Sequence, residues 1–142
     1  MSYPADYALD EGQRRFWRDT SVGRKGPKIV CLVGSTRFKQ AFIEANFRET
    51  MAGAIVLTVG WFSHADAEVY APSEDEKAAL DQLHLWKVAL ADEVLVVSQG
   101  GYIGDSTARE IAHAKRLHKP IRYLEPAAAE AQAAQDLAKG TD

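Results

Sequence analysis

A chain of 142 residues with 46% apolar and 26% charged residues suits one globular domain with a core of its own. A formal charge of −3 offers no field that would favour a nucleic-acid polymer, and no apolar run is long enough to cross a bilayer, so neither partner is expected. The start, Met1 to Asp6, lacks the basic-then-apolar layout of a signal peptide, which predicts a cytoplasmic protein; the only cysteine, Cys31, excludes a disulfide within the chain.

Residues 1–27 are polar, carry Arg14, Arg15, Arg18, Arg24 and Lys25, and close in Gly26-Pro27, which reads as a basic extension plus linker. Such an arm is either solvated or touches a phosphate or a partner subunit, and Phe16 and Trp17 suit packing. From Lys28 to Val33 an apolar run predicts the first strand. The turn Gly34-Ser35-Thr36-Arg37 leads into a helix with Phe38, Ala41, Phe42 and Ala45 at helical spacing. Strand, glycine turn and helix is the order that cradles phosphates: Gly34 lets backbone approach a ligand, Ser35 or Thr36 caps the helix, and Arg37 adds a planar donor fork. A capping turn with a surface arginine has the same pattern. Cys31, inside the strand and with no histidine beside it in sequence, reads as a small core residue.

The helix should end near Gly53, before a second strand over residues 54–59. Trp61 and Phe62 follow at that strand's carboxyl end, placed either to stack on a base or to pack on the next helix. Ser73-Glu74-Asp75-Glu76 is a capping box, predicting a helix to about Ala91 with an inner stripe of Leu80, Leu83, Lys87 and Leu90. His84 and Lys87 are then either core-packed or at the mouth of a site. Residues 94–97 form a third strand, apolar throughout as a strand covered on both faces must be. The turn from Gly100 through Gly101, Tyr102 and Gly104 to Ser106 opens space before a helix from Thr107, in which Glu110 either completes a capping box with Thr107 or faces a ligand. Lys115, Arg116, His118 and Lys119 suit that helix's negative end, and Pro120 stops it. Residues 121–124 are a fourth strand, and the alanine-rich tail over residues 127–139 a helix with little to bury.

Alternating strands and helices with short turns predict a single-domain α/β fold, a Rossmann-like or flavodoxin-like parallel sheet with helices on both faces. The order 2-1-3-4 would bring the turns after the first and third strands together, so that Arg37 and Glu110 line one crevice.

The segments Cys31 to Phe38, Leu90 to Val97, Ser106 to Glu110 and Lys119-Pro120-Ile121, in that order and spacing, resemble the nucleoside 2-deoxyribosyltransferase superfamily, which includes the deoxynucleoside 5′-monophosphate N-glycosidases. The resemblance spans residues 28–125, between the basic extension (1–27) and the alanine-rich tail (126–142). It implies an N-glycosidase or deoxyribosyltransferase acting on a nucleoside or its 5′-monophosphate, with Glu110 as nucleophile and Gly34, Ser35 and Arg37 around the phosphate. Ionisation of Glu110 would be favoured by a helix N-terminus. His84, or Asp92, would protonate the leaving base, although His84 stands where the family has an acid, and Cys31 where it commonly has an aromatic hydroxyl. A homodimer is implied, and no cofactor. No metal is expected, since His64, Asp66 and His84 lack tight ligand spacing. A non-catalytic nucleotide-binding module is the alternative reading.

Overall fold

The computed structural model describes residues 26–63 and 65–139; all but the last two residues of the basic arm, and His64, lie outside the described residues. Within them, strands and helices alternate: β1 (Ile29–Gly34), α1 (Lys39–Met51), β2 (Ile55–Leu57), α2 (Glu74–Leu90), β3 (Glu93–Val97), α3 (Asp105–Arg116), β4 (Ile121–Tyr123) and α4 (Pro126–Lys139). Every strand pairing is parallel and the order is β2-β1-β3-β4, as the sequence predicts.

The two central strands are buried on both faces because their apolar side chains alternate between two cores. Val30 and Leu32 of β1, with Leu95 and Val97 of β3, meet Ala41, Phe42 and Ala45 of α1 on one side. On the other, Cys31, Val33, Val94 and Val96 meet Val88 and Ala91 beneath α2 and Ile111 and Ala114 of α3. Each fully buried Val, Leu or Phe contributes about 1.5–3 kcal/mol relative to an exposed one. The tail helix α4 buries Ala128 fully and Gln132 to 5% exposure, while its last turns stay exposed.

On α2 the capping box forms as the sequence predicts: the Glu76 N–H donates to Ser73 Oγ at 3.2 Å and the Ser73 N–H to Glu76 Oε1 at 3.0 Å. Of its predicted inner stripe, however, only Lys87 is half-buried, and the three leucines face out. Leu80, Leu83 and Leu90 are exposed, with Trp86 beside them, and His84 and Val88 are the buried residues. Both sets fit a 3.6-residue period, and only packing against β1 and α3 selects the second.

Charge gathers at the amino ends of the strands. Glu93 accepts from Lys28 at 2.7 Å and pairs with Arg122, which also reaches Glu49, while Asp92 Oδ2 accepts from the Ile29 N–H at 2.9 Å. At the opposite ends, Gly34 brings β1 against β3 so closely that a Cβ there would lie 2.2 Å from the Val97 carbonyl oxygen. Only glycine permits that approach, and it sets the turns after β1 and β3 side by side.

Candidate functional site

A cavity of about 560 Å³ opens at the carboxyl ends of the strands, walled by the turns after β1 and β3, the segment after β2, and the facing sides of α2 and α3. This is the switch point of the sheet, where consecutive connections leave in opposite directions and open a crevice.

Glu110 lies in its wall, 8% exposed, and Oε2 has no hydrogen-bond partner. The capping role is overturned. α3 begins at Asp105 with Gly104 as its N-cap, so Glu110 is the sixth helical residue, beyond reach of the orphan N–H groups of the first turn. Its ionisation differs from expectation too: burial first, then the negative charge of Asp81, push its pKa up to about 8, against the smaller pull of Arg109. A buried carboxyl without a partner is costly unless a ligand uses it.

His84 also faces the cavity, yet it is held as a core residue. Its Nε2 lies 2.9 Å from the Leu32 carbonyl, which can only accept, so the proton sits on Nε2 and is committed there. Burial lowers its pKa, keeping the ring neutral near pH 7. Cys31 Sγ lies 3.8 Å from the same nitrogen, and burial raises that thiol to about 12, consistent with a core residue rather than a nucleophile. Asp92 is displaced altogether: its carboxylate anchors β1 at the amino end of the sheet, away from the cavity. In this arrangement neither His84 nor Asp92 holds a free proton at the cavity.

Of the phosphate turn, Gly34, Ser35 and Thr36 line the cavity. Arg37 does not; it is exposed, with its guanidinium carbon 4.2 Å from the centroid of the Tyr102 ring and NH2 donating to the Tyr102 hydroxyl at 3.2 Å. Trp61 lines the cavity, its indole N–H fixed on the Tyr70 carbonyl at 3.0 Å. Phe62 packs edge-on against Phe42, centroids 5.5 Å apart, as core rather than as a stacking platform. Gly104 and Ser106 are in the wall. Gly101 lies outside it; its N–H, like that of Gly100, donates to Glu125 at 3.2 Å, and both glycines have positive φ (74° and 64°). Glu125 thereby clamps the turn that carries Tyr102 and leads into α3.

Wall residues that the sequence did not place at the site include Asp81, Tyr102 and Thr107, whereas Lys87, read as either core-packed or at the mouth of a site, is in the wall. Asp81 stands in register with His84 and Val88 on α2, a spacing that would have placed it on the inner face. Lys87 donates to the Thr58 carbonyl at 2.7 Å, spanning from α2 to the segment after β2. Among the described residues no group of three or more His, Cys, Asp or Glu is arranged to hold a metal ion. No family model and no curated protein matches this chain.

Proposed function

We propose that this protein breaks or exchanges the N-glycosidic bond of a (deoxy)nucleoside or its 5′-monophosphate, with Glu110 attacking the anomeric carbon. The observation that carries the reading is a buried Glu110 carboxyl, Oε2 unpartnered, facing a nucleoside-sized cavity at the sheet's switch point. The order of segments shared with the nucleoside 2-deoxyribosyltransferase superfamily supports it. In the reaction the ionised carboxylate bonds to C1′ through an oxocarbenium-like state, the base departs, and water or a second base releases the sugar from the glycosyl ester. Gly34 and the turn after it face the 5′ end, with Arg37 within reach if it leaves Tyr102.

The test is release of free base from a panel of nucleosides and 5′-monophosphates. Wild type should release base from at least one member, with a rate that rises as pH approaches 8 and Glu110 ionises. Glu110→Gln should fold and bind yet lose turnover by about three orders of magnitude or more. Base release retained by Glu110→Gln would overturn the assignment.

We also propose a homodimer built on α2. Leu80, Leu83, Trp86 and Leu90 form one exposed apolar stripe, 43–65% exposed, and the first two also line the cavity mouth. A second copy related by a two-fold axis would cover the stripe and narrow the mouth.

A further inference from the structure

We infer that the substrate's base is cationic: a nucleoside whose glycosidic nitrogen belongs to a pyridinium or an N-alkylated purinium ring. This rests on the glycosidic reading above and narrows it. A neutral base must be protonated as the C1′–N bond breaks, and that requires a positioned acid. The two acids the sequence offers do not supply one, since the His84 proton is committed to the Leu32 carbonyl and Asp92 lies at the other end of the sheet. Of the other charged wall groups, Lys87 donates to the Thr58 carbonyl, Lys77 pairs with Glu74 at 3.4 Å, Asp81 pairs with Arg109 at 3.8 Å, and Asp105 stands in the first turn of α3, whose dipole favours a carboxylate over an acid. A cationic base needs no acid. Its bond to C1′ breaks with the electron pair moving onto the positive ring nitrogen, and the base leaves neutral.

The wall also suits such a ring. Asp81 and Asp105 share the wall with Lys77 and Lys87, both already engaged, and the buried Glu110 carboxyl adds a third acidic group that ionises on meeting a positive charge. Trp61 and Tyr102 bring aromatic rings to the wall, and Tyr102 already carries a flat cation, the Arg37 guanidinium, 4.2 Å from its centroid. Glu110 is buried, and Oε2 has no hydrogen-bond partner to oppose a positive charge. The groups around it are Asp81 and His84 from α2, Arg109 on its own helix, and Cys31 and Lys87, which share its cluster on that side of the sheet. A cation bound there draws the proton off Glu110 into solvent, so the same ligand that needs no acid also creates the nucleophile. Glu110 then bonds to C1′ as the neutral base leaves. Water afterwards attacks C1′, restoring the carboxylate and releasing the free sugar and one proton.

The experiment separates binding from turnover. Calorimetry at pH 7 in buffers of different ionisation enthalpy compares 1-methylnicotinamide with nicotinamide, neither of which carries a glycosidic bond. The cation should bind about tenfold tighter and release close to one proton, as ionisation of a single group requires. In Glu110→Gln the proton release should vanish. In parallel, 7-methylguanosine, N-ribosylnicotinamide and their 2′-deoxy and 5′-monophosphate forms should lose base above the uncatalysed rate, and guanosine should not. No preference for the cation, or neutral nucleosides losing base as fast, would overturn the cationic substrate while leaving the glycosidic reaction standing. A cation preference with no base loss from any nucleoside would instead overturn the reaction, and with it this substrate.

Discussion

A carboxyl group in the second turn of a helix feels little of the N-terminal dipole, which fades within the first turn, whereas loss of hydration acts wherever it is buried. Glu110 therefore keeps its proton in the fold, and this has a signed consequence for stability. Its pKa rises from 4.5 in the unfolded chain to about 8, so between those values the native state binds a proton that the unfolded state lacks. Stability from this group is complete below pH 4.5 and declines as pH rises towards 8, with a slope of at most about 1.4 kcal/mol per unit. Glu110→Gln removes the decline, so its melting temperature relative to wild type should climb between pH 5 and 8.5; a constant difference in calorimetry would mean that Glu110 ionises normally. Arg37 is the other side chain whose role a single substitution decides. If it binds phosphate, Arg37→Ala should weaken a 5′-monophosphate by about 1.5–3 kcal/mol and spare the nucleoside. Equal losses for both ligands would reduce Arg37 to a prop for the Tyr102 ring, on which it stacks.

At the scale of elements, the site depends on how closely β1 approaches β3. Gly34 sits where a Cβ would meet the backbone oxygen of Val97, which cannot yield as a flexible side chain would. Gly34→Ala should force the turns after β1 and β3 apart, costing about 1–3 kcal/mol in chemical denaturation and weakening any ligand that spans the two. A stability within experimental error of wild type would show that the strand ends can separate freely. The turn after β3 is secured from a different direction, by the Glu125 carboxylate across the Gly100 and Gly101 N–H groups. Two adjacent connections, one held by close backbone contact and one by a carboxylate clamp, set the shape of the wall before any ligand arrives.

For the molecule as a whole, α2 shares itself between two surfaces. His84 and Val88 seal it to the sheet, while Leu80, Leu83, Trp86 and Leu90 remain open on the adjoining face. A proposed dimer resolves that exposure. Light scattering at micromolar concentration should give twice the chain mass, and Trp86→Glu should shift it to the monomer with the melting temperature of the subunit little changed. A monomer mass for wild type would leave the stripe without its second copy. No helix among the described residues is long and apolar enough to cross a membrane.

Local pattern was enough for the sheet. The apolar runs of β1 and β3, the glycine turns after them and the Ser73 capping box determined element types and parallel pairing, because burial on both faces and short crossovers admit few alternatives; the order β2-β1-β3-β4 is one of those they allow, and it is the one the fold adopts. The position of Glu110 beside the switch point followed from the same reasoning. Long-range contacts alone settled which of two equivalent helical faces turns inward, where a helix begins, and which proton is free. The stripe of Leu80, Leu83 and Leu90 and the set His84 and Val88 have the same period, and contact with β1 and α3 separated them. His84 lost its expected role to a carbonyl 52 residues away in sequence, and Asp92 to a backbone N–H 63 residues away. Hydrogen bonds of that range leave no mark on local spacing, and the desolvation that raises Glu110 exists only once three elements have closed around it.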